Sequence, residues 1–335
     1  MRGCVRLARV TPVVTVVIPT RNRSGRVVGA IASAQRQTLA DLEILVVDDA
    51  SGDDSTAVVQ KVAAEDARVR LIHQSSQRGA PAARNRGLDE RRGEFVAFLD
   101  DDDRWLPTKL ETQLALLRAR PDLVVVGCHH RLIVEGGSRN EDFCGPTKVS
   151  RSDLLWVNVL GSASNAVIAP DRLPDNVRFD PAFPAYQDWD MYLRCSRYGG
   201  VTVVPEVLCE YVAHAEPERL TNQLPKRLAG HELLLRRHGD AMTPNCAAYH
   251  RARMRVLATT TKGEKLRLLP RLLRDSPPLV LRALLAESVQ GRIGRLRHDR
   301  ARPMHALLGV ARRDDARLAL GGEEEGSAEN GKTVA

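Results

Sequence analysis

Residues 95–99, Phe-Val-Ala-Phe-Leu, are an apolar, aromatic and β-branched run that leads directly into four consecutive carboxylates, Asp100, Asp101, Asp102 and Asp103. A strand without polar alternation is buried on both faces, which happens in parallel sheets covered by helices. Ligands of such sheets bind outside the carboxyl ends of the strands, where this acidic run falls. Four adjacent carboxylates repel one another unless solvent or a cation relieves them. Oxygen-only ligands suit a hard divalent ion, Mg or Mn, and such an ion suits a phosphate-bearing substrate. Trp105 and Pro107 fix the exit from the run, which argues against a merely solvated acidic loop.

The preceding segments repeat one pattern. Residues 13–18 form a β-branched run stopped by Pro19 and followed by Thr20-Arg21-Asn22-Arg23, and Val27, Val28, Ile31 and Ala34 then recur at helical spacing. A second strand over 43–47 runs into Asp48-Asp49-Ala50-Ser51 and a helix carrying Val58, Val59 and Val62. A third strand over 69–73 precedes a helix opened by Gly79, and residues 94–99 are the fourth strand. Strand and helix alternating in short order predict an α/β fold with a parallel, right-handed sheet. A helix to Arg118 and strands over 123–127 and 162–168 follow; residues 129–160 carry little pattern beyond a Gly136-Gly137 turn. Asp188, in Tyr186-Gln187-Asp188-Trp189-Asp190, stands at a predicted helix start, where the helix dipole favours a carboxylate. Trp189, Leu193 and Cys195 face inward in that reading. An ordinary N-cap explains Asp188 equally well on these grounds.

No G-x-G-x-x-G and no G-x-x-x-x-G-K-[ST] occurs, so a diphosphate would be met by a cation and by Arg rather than by a glycine cradle. No run of eighteen apolar residues is present. Arg2, Arg6 and Arg9 interrupt the N-terminus, which makes it a poor secretory signal. Cys4, Cys128, Cys144, Cys195, Cys209 and Cys246 form no C-x-x-C pair, and scattered thiols fit packing roles in a reducing cytoplasm. Residues 231–335 hold 20 Lys and Arg against 12 Asp and Glu, the whole of the chain's net charge of +8. Aromatic residues make up 4% of the chain and no recognition motif appears, which disfavours nucleic acid as the partner of that basic segment.

Taken together, 17–22 (Val-Ile-Pro-Thr-Arg-Asn), 46–51 (Val-Val-Asp-Asp-Ala-Ser), 79–87 with Ala83-Arg84-Asn85, 98–103, and Gln187-Asp188-Trp189-Asp190 with Leu193-Arg194 resemble the family 2 glycosyltransferases, in order and spacing. The resemblance covers roughly 13–215. It implies a GT-A fold, a Rossmann-like α/β arrangement with a mostly parallel sheet flanked by helices, here with a C-terminal helical extension. It implies inverting transfer of a sugar from a nucleotide-diphosphate donor, most often uridine-based, to an acceptor hydroxyl, with Mg or Mn. Pro19, Thr20, Arg21, Asp49, Arg84, Asp100 and Asp101 then fall in the nucleotide pocket, with Asp49 on the base and Asp100 on the ribose. Asp102 corresponds to the direct metal ligand and Asp188 to the general base; His214 falls where many members place a His near the diphosphate or metal, as a ligand or a diphosphate contact, and an ordinary surface His fits that position equally well.

Two positions depart from the family pattern. Gln187 stands where an acidic residue usually precedes the base, and losing that charge lowers the base's pKa relative to the usual pair. Ala50 replaces the usual glycine of its turn. A nucleotide-sugar-binding protein without catalysis and a metal-dependent phosphohydrolase are the competing readings; the latter wants a nucleophilic Asp with a partner two residues on after the first strand, and none stands there. The expected division is an N-terminal tail over 1–12, a transferase domain over 13–230, a basic helical extension over 231–320 and a disordered tail over 321–335. Leu- and Arg-rich stretches of the extension suit packing on the domain, a second subunit, or an anionic membrane surface at the inner face.

Overall fold

β1 (Val14–Thr20) and β2 (Leu42–Asp48) are buried along their whole length, as unalternated apolar runs require. They pair in parallel, Val14 opposite Leu42 through Thr20 opposite Asp48. On its other side β1 pairs in parallel with β4 (Phe95–Phe98), and β2 pairs with β3 (Val69–His73). This computed structural model describes residues 11–135, 140–214 and 223–259. The Gly136-Gly137 turn, most of the N-terminal tail and the chain beyond residue 259 lie outside them.

The helices cover both faces. α1 (Ser24–Gln35), α2 (Ser55–Glu65) and α4 (Lys109–Ala119) pack on the face that carries Val16, Ile18 and Ile44. α3 (Ala80–Glu90), α5 (Arg151–Trp156), α6 (Gln187–Cys195) and α7 (Leu224–His238) pack on the face that carries Val17, Leu45 and Val96. Alternate β1 side chains thus enter different cores. α3 lies so close that a Cβ on Gly87 would sit 2.3 Å from Val17 Cγ1. α8 (Pro244–Ala258) completes the described chain; His250 bonds the Leu155 carbonyl through Nε2 (2.7 Å) and meets His231 of α7 at 2.8 Å through Nδ1.

The sheet is mostly parallel with antiparallel additions, as the resemblance implies. Its strand order is β3-β2-β1-β4-β9-β6-β10-β5, with β6 (Leu123–Val134) and β10 (Gly200–Ala213) parallel. β9 (Val167–Ile168) runs antiparallel between β4 and β6. β5 (Arg104–Trp105) and β8 (Lys148–Val149) run antiparallel to β10, and β7 (Glu141–Phe143) to β6. Two sequence expectations are corrected here. β6 continues seven residues past Gly127, because its second half keeps pairing with β10 and β7 although it carries polar residues, of which His129 is buried. The strand expected over 162–168 shrinks to β9, since residues 163–165 turn as a 3-10 helix that delivers Ser164 to the acidic loop.

Two loops at the carboxyl ends of β1 and β2 are stapled together. Asn22 N–H donates to Ser51 Oγ (2.9 Å) and Gly52 N–H to Asn22 Oδ1 (2.8 Å). Both loops use left-handed backbone, at Asn22 (φ 52°) and Ala50 (φ 57°). Asn tolerates that region, whereas Ala50 holds it against its own preference.

Candidate active site

The four carboxylates stand in the turn between β4 and β5, and each finds a different partner. Asp100 accepts from Arg84 NH2 at 2.6 Å. Asp101, 6% exposed, accepts from the Thr20 hydroxyl (2.8 Å) and from Arg23 NH1 (2.9 Å). Asp102 accepts from the same Arg23 NH1 at 2.9 Å. Asp103 takes the Ser164 hydroxyl (2.6 Å) and the Val212 N–H (3.2 Å), which ties the loop to β10. The protein therefore relieves most of the repulsion with its own groups. Burial still raises Asp101 to about 6, against the opposing pull of Arg23.

Arg84 links this loop to the next element. From α3 its NH2 reaches Asp100 and its NH1 reaches Gln187 Oε1 at 3.1 Å. Gln187 in turn donates to the Phe183 carbonyl (3.1 Å), so a neutral amide makes the mechanical tie between α3 and the start of α6. The chain enters α6 through Tyr186 in left-handed backbone (φ 62°). Asp188 follows, ringed by protein, with Asn158 Nδ2 at 3.4 Å and its own Oδ1 accepting from the Trp189 N–H at 2.9 Å. Loss of water raises its pKa to about 6; that N–H and Arg84 oppose the shift and Asp100 adds to it. Trp189, Leu193 and Cys195 face the core as expected, and Trp189 Nε1 fastens α6 to the Leu154 carbonyl at 2.6 Å.

The remaining expected pocket residues lie at the ends of β1 and β2. Pro19 and Thr20 are buried in β1 and Arg21 is exposed beyond it. Asp49 is 4% exposed, and its oxygens accept the Arg78 and Gly79 N–H groups (2.7 Å each) and Gln74 Nε2 (3.1 Å). It organises the loop from β3 to α3. Asp48 accepts from Ser51, from Thr56 (2.6 Å) and from His73 (2.8 Å), and these bonds hold its pKa below the ordinary value. Thr20, Asp101, Asp102 and His214 thus meet in one cluster; Arg84, Asp100 and Asp188 meet in a second beside it. Sequence reasoning missed Arg23, Ser164, Asn158 and Glu135. Only Arg23 carried a signal, by following Thr-Arg-Asn directly.

Among the described residues no group of three or more His, Cys, Asp or Glu side chains is arranged to hold a metal ion. Two are placed for it. His214, just past β10, turns Nδ1 to Glu135 Oε2 at 2.8 Å, and its buried Nε2 has no hydrogen-bond partner. That nitrogen lies 3.9 Å from Asp102 Oδ2. A carboxylate behind the far ring nitrogen is the usual orienting arrangement for a metal-binding imidazole. Metal–ligand distances of about 2.1 Å let one ion reach both atoms, and Mg or Mn sites commonly complete their shell with substrate phosphate and water. The donor set fits a hard divalent ion.

Residues 15–156 match the family described as Glycosyl transferase family 2. Over 178 residues the chain is 34% identical to the GalNAc(5)-diNAcBac-PP-undecaprenol beta-1,3-glucosyltransferase of Campylobacter jejuni, covering 51% of this chain and 56% of the relative. It is 32% identical to the Escherichia coli UDP-Glc:alpha-D-GlcNAc-diphosphoundecaprenol beta-1,3-glucosyltransferase WfgD, over 42% of this chain and 54% of the relative. The chain thus spans a little over half the length of these two relatives. In fold it is similar to S. aureus TarS residues 1–349 in complex with UDP-GlcNAc, with a TM-score of 0.58, 17% identity and coverage of 84% and 88%. The mannosyltransferase PcManGT from Pyrobaculum calidifontis, in complex with GDP-Man and Mn2+, gives a TM-score of 0.52 and 19% identity, covering 94% and 82%. With the sheet, the stapled loops and the acidic turn in place, residues 15–156 of this chain belong to glycosyl transferase family 2, and the fold is GT-A.

Proposed function

We propose that this chain is an inverting, divalent-metal-dependent glycosyltransferase that moves a sugar from a nucleotide-diphosphate donor, uridine-linked in our reading, to an acceptor hydroxyl. The observation that carries it is the half-buried carboxyl of Asp188, its pKa raised to about 6, beside Arg84 and Asp100 and apart from the cluster around Asp102. Two separated carboxylates serve two jobs. Asp188 accepts the proton of the attacking hydroxyl. Asp102 and His214 hold a divalent ion, which stabilises the negative charge of the departing diphosphate when bound. Pro19, Thr20, Arg21 and Asp49 line the base and ribose, Asp49 through lone pairs its loop leaves open. Asp100, steadied by Arg84, contacts the ribose, and Asp101 braces the turn beside it through Thr20 and Arg23.

The relatives' names supply the acceptor class we propose, a glycan on a polyprenyl diphosphate in cell-envelope synthesis. No helix among the described residues is long and apolar enough to cross a membrane. Our reading, a transferase domain at 13–230 and a basic extension over 231–320, is refined by α7 and α8, which pack on the domain across that boundary; the part of the extension we bring to the inner membrane face as a peripheral contact is the basic chain that follows α8.

Calorimetry of uridine diphosphate with and without Mn2+ tests the donor site without knowledge of the acceptor. The expected result is Mn2+-dependent binding that weakens more than about tenfold in Asp102→Asn. No metal-dependent binding of uridine, guanosine or thymidine diphosphate overturns the reading. The base has its own test. It works ionised, so kcat should fall as pH drops through about 6. Gln187→Glu places a second negative charge beside it and should move that limb upward by about half a unit or more. An unmoved limb would mean that another group titrates.

A further inference from the structure

The cation site of the proposed transferase already holds a cation of its own. Arg23 NH1 lies 2.9 Å from Asp101 Oδ1 and 2.9 Å from Asp102 Oδ2. That same Asp102 oxygen faces His214 Nε2 at 3.9 Å. With Nδ1 engaged by Glu135, Nε2 is the ring nitrogen left facing that carboxylate oxygen. A ring nitrogen and a carboxylate oxygen 3.9 Å apart leave room for one cation to reach both. Arg23 supplies positive charge from one side only and leaves Nε2 without a bond.

We propose that Arg23 is a displaceable counter-cation: it neutralises Asp101 and Asp102 in the unliganded chain and is driven off Asp102 when a divalent ion binds between Asp102 and His214. The inference rests on the cation-site reading above and adds a competitor to it. Its backbone is built for this. Arg23 N–H donates to Ser55 Oγ at 3.0 Å, and its carbonyl accepts the N–H groups of Arg26 (2.9 Å) and Val27 (3.0 Å) at the start of α1. The guanidinium is therefore the part that must move, and its side chain is 26% exposed on the open side of the site. Keeping the cluster paired in this way prevents Asp101 and Asp102 from repelling each other before donor arrives. The consequence is metal affinity lower than the ligand set alone would give, because each incoming ion must break charge-assisted bonds.

Mn2+ titration of the full-length, nucleotide-free protein, followed by the electron paramagnetic resonance of free Mn2+, tests this directly. Arg23→Gln should bind Mn2+ about tenfold or more tighter than wild type, the scale of one charge-assisted hydrogen bond. Arg23→Lys, which keeps the charge but cannot span both carboxylates, should fall between them and stands in if Arg23→Gln fails to fold by near-UV circular dichroism. Asp102→Asn should abolish binding in either background. If Asp102→Asn weakens Mn2+ binding while both Arg23 variants match or fall below wild type, the cation site stands and the displacement is overturned. If Mn2+ binds to no variant, with or without uridine diphosphate, the site reading falls and the displacement with it.

Discussion

Asp188→Asn should lower kcat by about a thousandfold, within the range set by removing a general base, while metal-dependent binding of uridine diphosphate stays within about twofold. It should also make the protein more stable at pH 7. A carboxyl whose folded pKa is raised from 3.8 to about 6 takes up a proton on folding, so stability falls as pH rises across that window. Above it the full penalty of holding the charge in that environment is present, about 3 kcal/mol for a shift of this size. The amide removes that penalty. Single-turnover kinetics and thermal melting at pH 5 and pH 7 read both effects. A variant that loses activity and melts lower at pH 7 would place Asp188 among the structural groups, although the N-cap role the sequence also allowed falls to Tyr186 and Asp188 is the second residue of α6.

Asp190→Ala should do the reverse to stability. Two residues along the same helix, Asp190 is fully buried and accepts from His238 Nε2 (2.9 Å), Arg194 Nε (2.9 Å) and Arg237 NH1 (3.3 Å). Removing the carboxylate strands His238 inside the protein and releases α7 from α6. Deleting one partner of a buried charged network costs about 3 kcal/mol at the low end of the usual range, which is appropriate because Arg194 and Arg237 keep some water. Melting should drop by about 6 °C or more. Activity at low temperature should fall far less than in Asp188→Asn. A melting change under about 1 °C would show that the network does not hold the two helices together.

The two aspartates look alike in Gln-Asp-Trp-Asp, and nothing local separates them. Their difference comes from α7, some fifty residues on. The same holds for the acidic run. Its position at a strand end was legible because a buried parallel strand is a continuous apolar run, as β1, β2 and β4 all are. The separate partners of Asp100 to Asp103 were not, because Thr20, Arg23, Arg84, Ser164 and Val212 come from five different elements. β9 was misjudged for a physical reason: two antiparallel residues carry no period. Asn158 left no pattern either, since one contact made at long range has no signature in neighbouring residues; Arg23 was marked only by following Thr-Arg-Asn. Gln187 read as a change of charge; its role as a strap between α3 and α6 needed coordinates.

The bond from Val212 N–H to Asp103 joins residues 109 positions apart, and His214 stands two residues beyond it. During synthesis the acidic turn leaves the ribosome long before the strand that braces it. Segments at such separation, here the turn and β5 against antiparallel β10, pair late, because chain closure must precede any contact that rewards it. A nascent chain that ends before β10 holds the four aspartates without the Val212 brace and without the imidazole. The proposed cation site therefore matures only with β10, and on that reading a ribosome-bound fragment cannot sequester a divalent ion ahead of time.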